Sequence, residues 1–293
     1  MNATDIDLLD AIPRLPAWIS AQGVQTPEDA AFLSGAALSA LHLTLGRPEI
    51  PQALLRARLA LRAAEVSIAL IGRPEAAPAL RDEVHLSRPG DQLGPGGTVF
   101  RQWHQATAQP IGRGLVQLLP EPLQGELPTK GQADRCSPVT LAAETLDRAI
   151  GLCPREEVAA LILADAALAR SLGWDHVLPL LSTTMTSRVL RRGGAELRDS
   201  CHRLVITAAG DIIDLARDLS RRAARLAAIT PKLRSKGAGA AVDLFLTRDA
   251  LSPSVALTGI MSDRAARRIC DRLVDLGAVR EMTGRPSFRL YGL

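Results

Sequence analysis

Residues 252–293 read SPSVALTGIMSDRAARRICDRLVDLGAVREMTGRPSFRLYGL, and this stretch decides the fold expected for the chain. Ser252 followed by Pro253 starts a short helix, and Gly259 marks a turn. Ser262 and Asp263 then cap a second helix. Along residues 263–276, Ala266, Ile269, Leu273 and Leu276 share one face with Cys270 beside them, while Arg264, Arg267, Arg268 and Arg272 project from the other. Gly277 stands where a helix end favours a left-handed residue. Residues 278–282 and 287–291, joined by Thr283-Gly284-Arg285-Pro286, read as a hairpin. Helix, turn, arginine-rich helix and hairpin, preceded by a first helix at 240–247, make a winged helix-turn-helix.

The chemistry of that pattern points to double-stranded DNA. A guanidinium fork pairs with a guanine edge or a phosphate, so the helix 263–276 is expected to enter the major groove. Arg264, Arg267, Arg268 and Arg272 are its contacts, and Arg285 and Arg289 on the wing, 278–291, are expected to meet flanking phosphates. The competing reading is a solvated helix carrying Asp263–Arg267 and Arg268–Asp271 or Arg272–Asp275 pairs, worth a few tenths of a kcal/mol each. A protein partner docking on the same module is the alternative to DNA.

Charge distribution agrees with a DNA-facing end. Residues 230–293 hold eleven basic and six acidic side chains, whereas the preceding 229 hold 24 and 25. The net charge of +4 therefore originates in the C-terminal part.

Upstream, the composition of 47% hydrophobic but only 3% aromatic residues, rich in Ala, Leu and Arg, predicts a mainly α protein. A multi-helix N-terminal domain is expected over 1–230, with a loop near 120–138 and a connecting segment at 230–239 that leads into the winged helix at 237–293. Residues 1–25 read as an irregular arm. Helices are predicted from Pro27 to about Gly46, after Pro51 to about Ile71, over 76–85, 98–108, 139–150, 155–172 and 175–192, and in one long run from Ala195 to Ile229. Such a body suits dimerisation or an effector role. The glycine-rich run SRPGDQLGPGG at 87–97 follows no strand pattern and lacks the phosphate-binding spacings, so it reads as a loop.

Catalytic, metal and cofactor motifs are not found. His42, His85, His104, His176 and His202 lie on different segments without ligand spacing, and Cys201-His202 reads as a core cysteine beside a polar histidine. A pocket around His85 or His104 is the one enzymatic option, but the sequence does not assemble it. Scattered cysteines, no export signal and no long apolar run point to a soluble cytoplasmic protein away from the membrane.

The run SDRAARRICDRLVDLGAVREMTGRPSFRLYGL resembles the C-terminal winged helix of Fic-type proteins. The Fic catalytic loop HPFxxGNGR is absent, since no His-Pro dipeptide occurs, so adenylyl transfer is not implied. Over its whole length, through RARLALRAAE, RDEVHLSRPGD, LGWDHVLPLL, PKLRSKGAG and the C-terminal run, the chain resembles a bacterial family catalogued as domain of unknown function 1403. That resemblance implies a mainly helical protein and carries no catalytic residue.

Overall fold

Local signals set where the helices begin. In the structure, a computed structural model describing residues 12–87, 90–133, 136–233, 236–285 and 287–293, helix α1 spans Pro27–Leu45. Thr26 accepts from the Asp29 amide at 3.1 Å while Asp29 accepts from the Thr26 amide at 3.0 Å, a reciprocal cap that satisfies two orphan donors. Helices α2 (Gln52–Leu70), α3 (Ala77–Leu86) and α4 (Pro95–Ala108) follow, then α5 (Pro138–Leu152) and α6 (Glu157–Ser171). The 36-residue α7 covers Gly194–Ile229, and α8 (Ala238–Phe245) and α9 (Asp263–Asp275) close the helical list, apart from one-turn pieces. Parts of the expected N-terminal arm, the glycine-rich loop, the connecting segment and the wing turn (residues 1–11, 88–89, 234–235 and 286) lie outside the described residues.

Packing organises these helices around α6. Every residue from Val158 to Ala169 is buried, and all but Asp165 are apolar, so this helix belongs to the interior. α5 packs on α6, α7 packs on α1 and α5, and α2 lies against α4 with α3 alongside. At the α1–α7 contact, buried His202 lies 2.7 Å from the Ser34 hydroxyl. Neighbouring Cys201 is fully buried, and burial pushes its thiol up to about 12, so this pair is a packed core element.

One sequence expectation fails in the body. Residues 175–192 do not form a helix: the chain runs extended to Leu180, makes a single turn of 3₁₀ helix at Leu181–Thr183 and one short helix at Ser187–Leu190. The cause is Asp165 in the middle of α6, whose buried carboxylate accepts from the Leu181 amide (2.9 Å) and from the Ser182 amide and hydroxyl (3.3 and 2.5 Å). Those amides are committed to a side chain rather than to a helix. Pro179, without an N–H, and the threonines at 183, 184 and 186 disfavour the helical alternative.

The C-terminal segment, from α8 onward, has its own order of elements. After α8, Leu251 pairs with Tyr291 through reciprocal main-chain bonds of 2.8 and 2.9 Å. A one-turn helix at Pro253–Ala256, α9, and the strands β1 (Arg280–Glu281) and β2 (Tyr291–Gly292) complete it. The strands are antiparallel, with Arg280 opposite Gly292 and Glu281 opposite Tyr291.

The second helix of this segment is shorter than the sequence implies. Ser252 is buried and makes no side-chain cap bond, and the helix gives way after Ala256 to turns that bring the amides of Ile260 and Met261 to the Leu257 carbonyl. Val255, Thr258, Gly259 and Ile260 are poor helix formers, which accounts for the early end.

A candidate DNA-facing helix and the cavity behind it

Helix α9 is held by its apolar face. Ala266, Ile269, Cys270 and Leu273 are buried, and the Ser262 hydroxyl caps the start by accepting from the Ala265 amide at 3.4 Å. Gly277 takes φ +63 and ends the helix, with the Ala278 amide returning to the Leu273 carbonyl at 2.9 Å. The Tyr291 hydroxyl donates to Asp271 at 3.0 Å and ties β2 to the helix.

Exposed on the other side are Arg264, Arg267, Arg268 and Arg272. Arg267 pairs with Asp263 at 3.0 Å, the exposed i,i+4 pair foreseen in the solvated-helix reading. Among the described residues, Arg264, Arg268 and Arg272 have no ion-pair partner. The structure thus brings four of the six arginines singled out from sequence onto one helix face.

The two arginines expected on the wing are placed differently. Arg285 is ion-paired with Asp82 of α3, so it joins the hairpin to the helical body. Arg289, exposed, donates through Nε to the Arg285 carbonyl at 2.9 Å. Val279 and Leu290 are buried as expected, whereas Phe288 is 70% exposed at φ +56. Tyr291, like Leu290, is buried.

Beneath this segment lies a buried charge cluster the sequence did not announce. Asp249, just after α8, is 1% exposed and meets Arg58 of α2 at 2.7 Å and Arg81 of α3 at 2.5 Å. Burial pushes the Asp249 carboxyl up, but the two guanidinium groups together outweigh it and hold the carboxyl below its ordinary range. Arg58 also donates to the main-chain oxygens of Asp249 (3.3 Å) and Leu293 (2.8 Å). The partners are 191 and 168 positions apart in sequence, which is why no local pattern reveals them.

Beside the cluster, α2, α3, α4 and the turn after α8 line a half-open cavity of about 410 Å³. His85 and His104 both line it, so the two histidines the sequence could not assemble share one wall, each edge-on to Phe100 at 6.1 and 6.3 Å. Arg56, Arg101 and Arg248 line it as well, and among the described residues no carboxylate does. Burial pushes His85 down to about 4; Asp249 is the next-largest influence and pulls the other way, while His104, Arg81 and Arg248 add smaller repulsions. His104 is lowered too, by burial and then by Arg248. Arg56 reaches a second cavity, of about 570 Å³, where His42 accepts from the Trp174 indole at 2.9 Å and His176 lies 2.7 Å from Asp175. Four of the five histidines therefore line two cavities that share Arg56, although among the described residues no three His, Cys, Asp or Glu groups gather as a metal site.

A family model described as Protein of unknown function (DUF1403) matches residues 3–293. The chain belongs to this family. The match runs through the helical body and the C-terminal segment alike. No curated protein matches the chain. Among the described residues, no helix is long and apolar enough to cross a membrane.

Proposed function

We propose that the chain binds double-stranded DNA through α9 and acts as a regulator, with the helical body dimerising or receiving a signal. The observation carrying this reading is the set of exposed, unpaired guanidinium groups of Arg264, Arg268 and Arg272 on a helix held rigidly by its opposite face. The order of helix, strand-like bridge, short helix, arginine-bearing helix and two paired strands agrees with the order expected of a winged helix and supports the same reading. Arg289 adds a cation near the wing, while Arg285 is engaged by Asp82 and contributes less than the sequence alone would suggest.

Gel-shift titration of the full chain with a pool of random double-stranded DNA tests this. The expected result is binding at low salt that weakens steeply as salt rises, because counterions are released from the phosphates. Arg264→Ala combined with Arg268→Ala should lower the log–log salt slope by about two if each side chain neutralises one phosphate. Absence of any shift at low salt overturns the reading.

A protein partner is the second reading, favoured by the exposure of Phe288 at 70% and Val255 at 50%. It predicts a partner whose retention is lost on Phe288→Ser and kept in the Arg264→Ala, Arg268→Ala variant.

A further inference from the structure

The cavity behind the C-terminal segment has the makings of a ligand site of one sign. Its charged lining consists of Arg56, Arg101 and Arg248, contributed by α2, α4 and the turn after α8. The nearest buried carboxylate, Asp249, is already held by Arg58 and Arg81 and does not line the cavity. Among the described residues, Arg101 and Arg248 have no ion-pair partner, so their charge is uncompensated at the mouth. Arg56 is fixed inside by its Nε donating to the Thr107 carbonyl at 3.1 Å.

A low-dielectric cleft walled by one sign of charge focuses its field and concentrates the opposite sign. His104 responds to that field, since Arg248 helps hold it below its ordinary value. The Nε2 atom of His85 is buried at this wall without any hydrogen-bond partner, and a buried polar atom left unpaired is costly unless something pairs with it. The remaining lining of Ala53, Ala57, Val84 and Ala108 is apolar. At about 410 Å³ the space suits a small metabolite and not a macromolecule.

We infer that this cavity binds a small organic anion, a carboxylate or phosphate monoester whose charged end meets Arg101, Arg248, Arg56 and the unpaired His85 Nε2, and whose apolar body rests on the alanine floor. Arg248 immediately precedes Asp249, so an occupant spanning Arg248 and Arg101 fastens the C-terminal segment to α2 and α4 and stabilises the docked arrangement. The site stands on its own lining and holds whether or not α9 contacts DNA.

Calorimetric titration of the full chain, without DNA, separates the outcomes using benzoate, phenyl phosphate, inorganic phosphate and neutral benzamide. Saturable binding of benzoate or phenyl phosphate, with benzamide inert, is the expected result. Exchanging both mouth arginines, Arg101→Gln with Arg248→Gln, should weaken that binding by about tenfold or more, since each charge-assisted bond is worth over ~1 kcal/mol. Both side chains are exposed, so the melting temperature without ligand should stay unchanged. No saturable heat with either organic anion overturns the inference, as does binding indifferent to the double substitution. Inorganic phosphate binding as tightly as phenyl phosphate overturns the organic assignment.

Discussion

Replacing Asp249 by Asn removes one negative charge from between two guanidinium groups and leaves the geometry nearly unchanged. Asp249 is 1% exposed, with Arg58 at 2.7 Å and Arg81 at 2.5 Å. At an effective dielectric constant of ~20, each pair contributes about 6 kcal/mol of attraction, against which stands the cost of bringing all three groups out of water. Removing the shared anion cancels both attractions while two cations remain confined, so the expected loss of stability is about 3–5 kcal/mol. Equilibrium urea unfolding of the full chain measures it, and limited proteolysis at residues 230–238 should show the C-terminal segment cut more readily. Combining Asp249→Asn with Arg81→Met should cost less than the sum of the two single changes, because the second change removes one of the stranded cations. A single-variant loss below about 0.5 kcal/mol, or strict additivity in the double variant, would refute the idea that this cluster anchors the segment. The acid dependence follows in sign. A carboxyl held below its ordinary 3.8 stabilises above that pH and loses the contribution as pH falls through its folded value, so Asp249→Asn should flatten the strongly acid limb.

Two further titrations oppose each other at higher pH. His85, at about 4 in the folded chain against 6.5 ordinarily, makes stability rise with pH between those values, whereas Asp165, raised to about 6 from 3.8, makes it fall over nearly the same window. Native stability should therefore vary little there, and His85→Gln should gain up to about 3 kcal/mol relative to the native chain between pH 7 and pH 4; parallel curves for the two proteins would reject the assignment. Gly277→Ala forces a side chain onto φ +63 and sets its Cβ 2.6 Å from Arg225 Nη2, so a loss of about 1 kcal/mol or more is expected in thermal unfolding. An unchanged melting temperature would mean that α9 does not need this left-handed end.

Much of the helical framework was legible because its signals are local. Thr26 and Ser262 each start a helix through a hydroxyl accepting an amide three residues on, and Gly277 ends one through its backbone freedom. The apolar stripe of α9 predicts which face is buried and which arginines are left outside. Residues 175–192 mislead for the same reason: their local apolar pattern suits a helix, while the carboxylate that captures the Leu181 and Ser182 amides sits on α6 and cannot be weighed from the segment alone.

By itself, then, the sequence determined a mainly helical chain, several helix starts and the basic outer face of α9, since these depend on hydrogen bonds and side-chain periodicity within a few residues. Only the tertiary structure decided that Asp249 is clamped by Arg58 and Arg81, that Arg285 faces Asp82, and that His85, His104, Arg101 and Arg248 line one cavity. Those meetings join residues on separate helices. Their existence rests on how α2, α3, α4 and the C-terminal segment pack in space, and spacing along the chain carries no record of it.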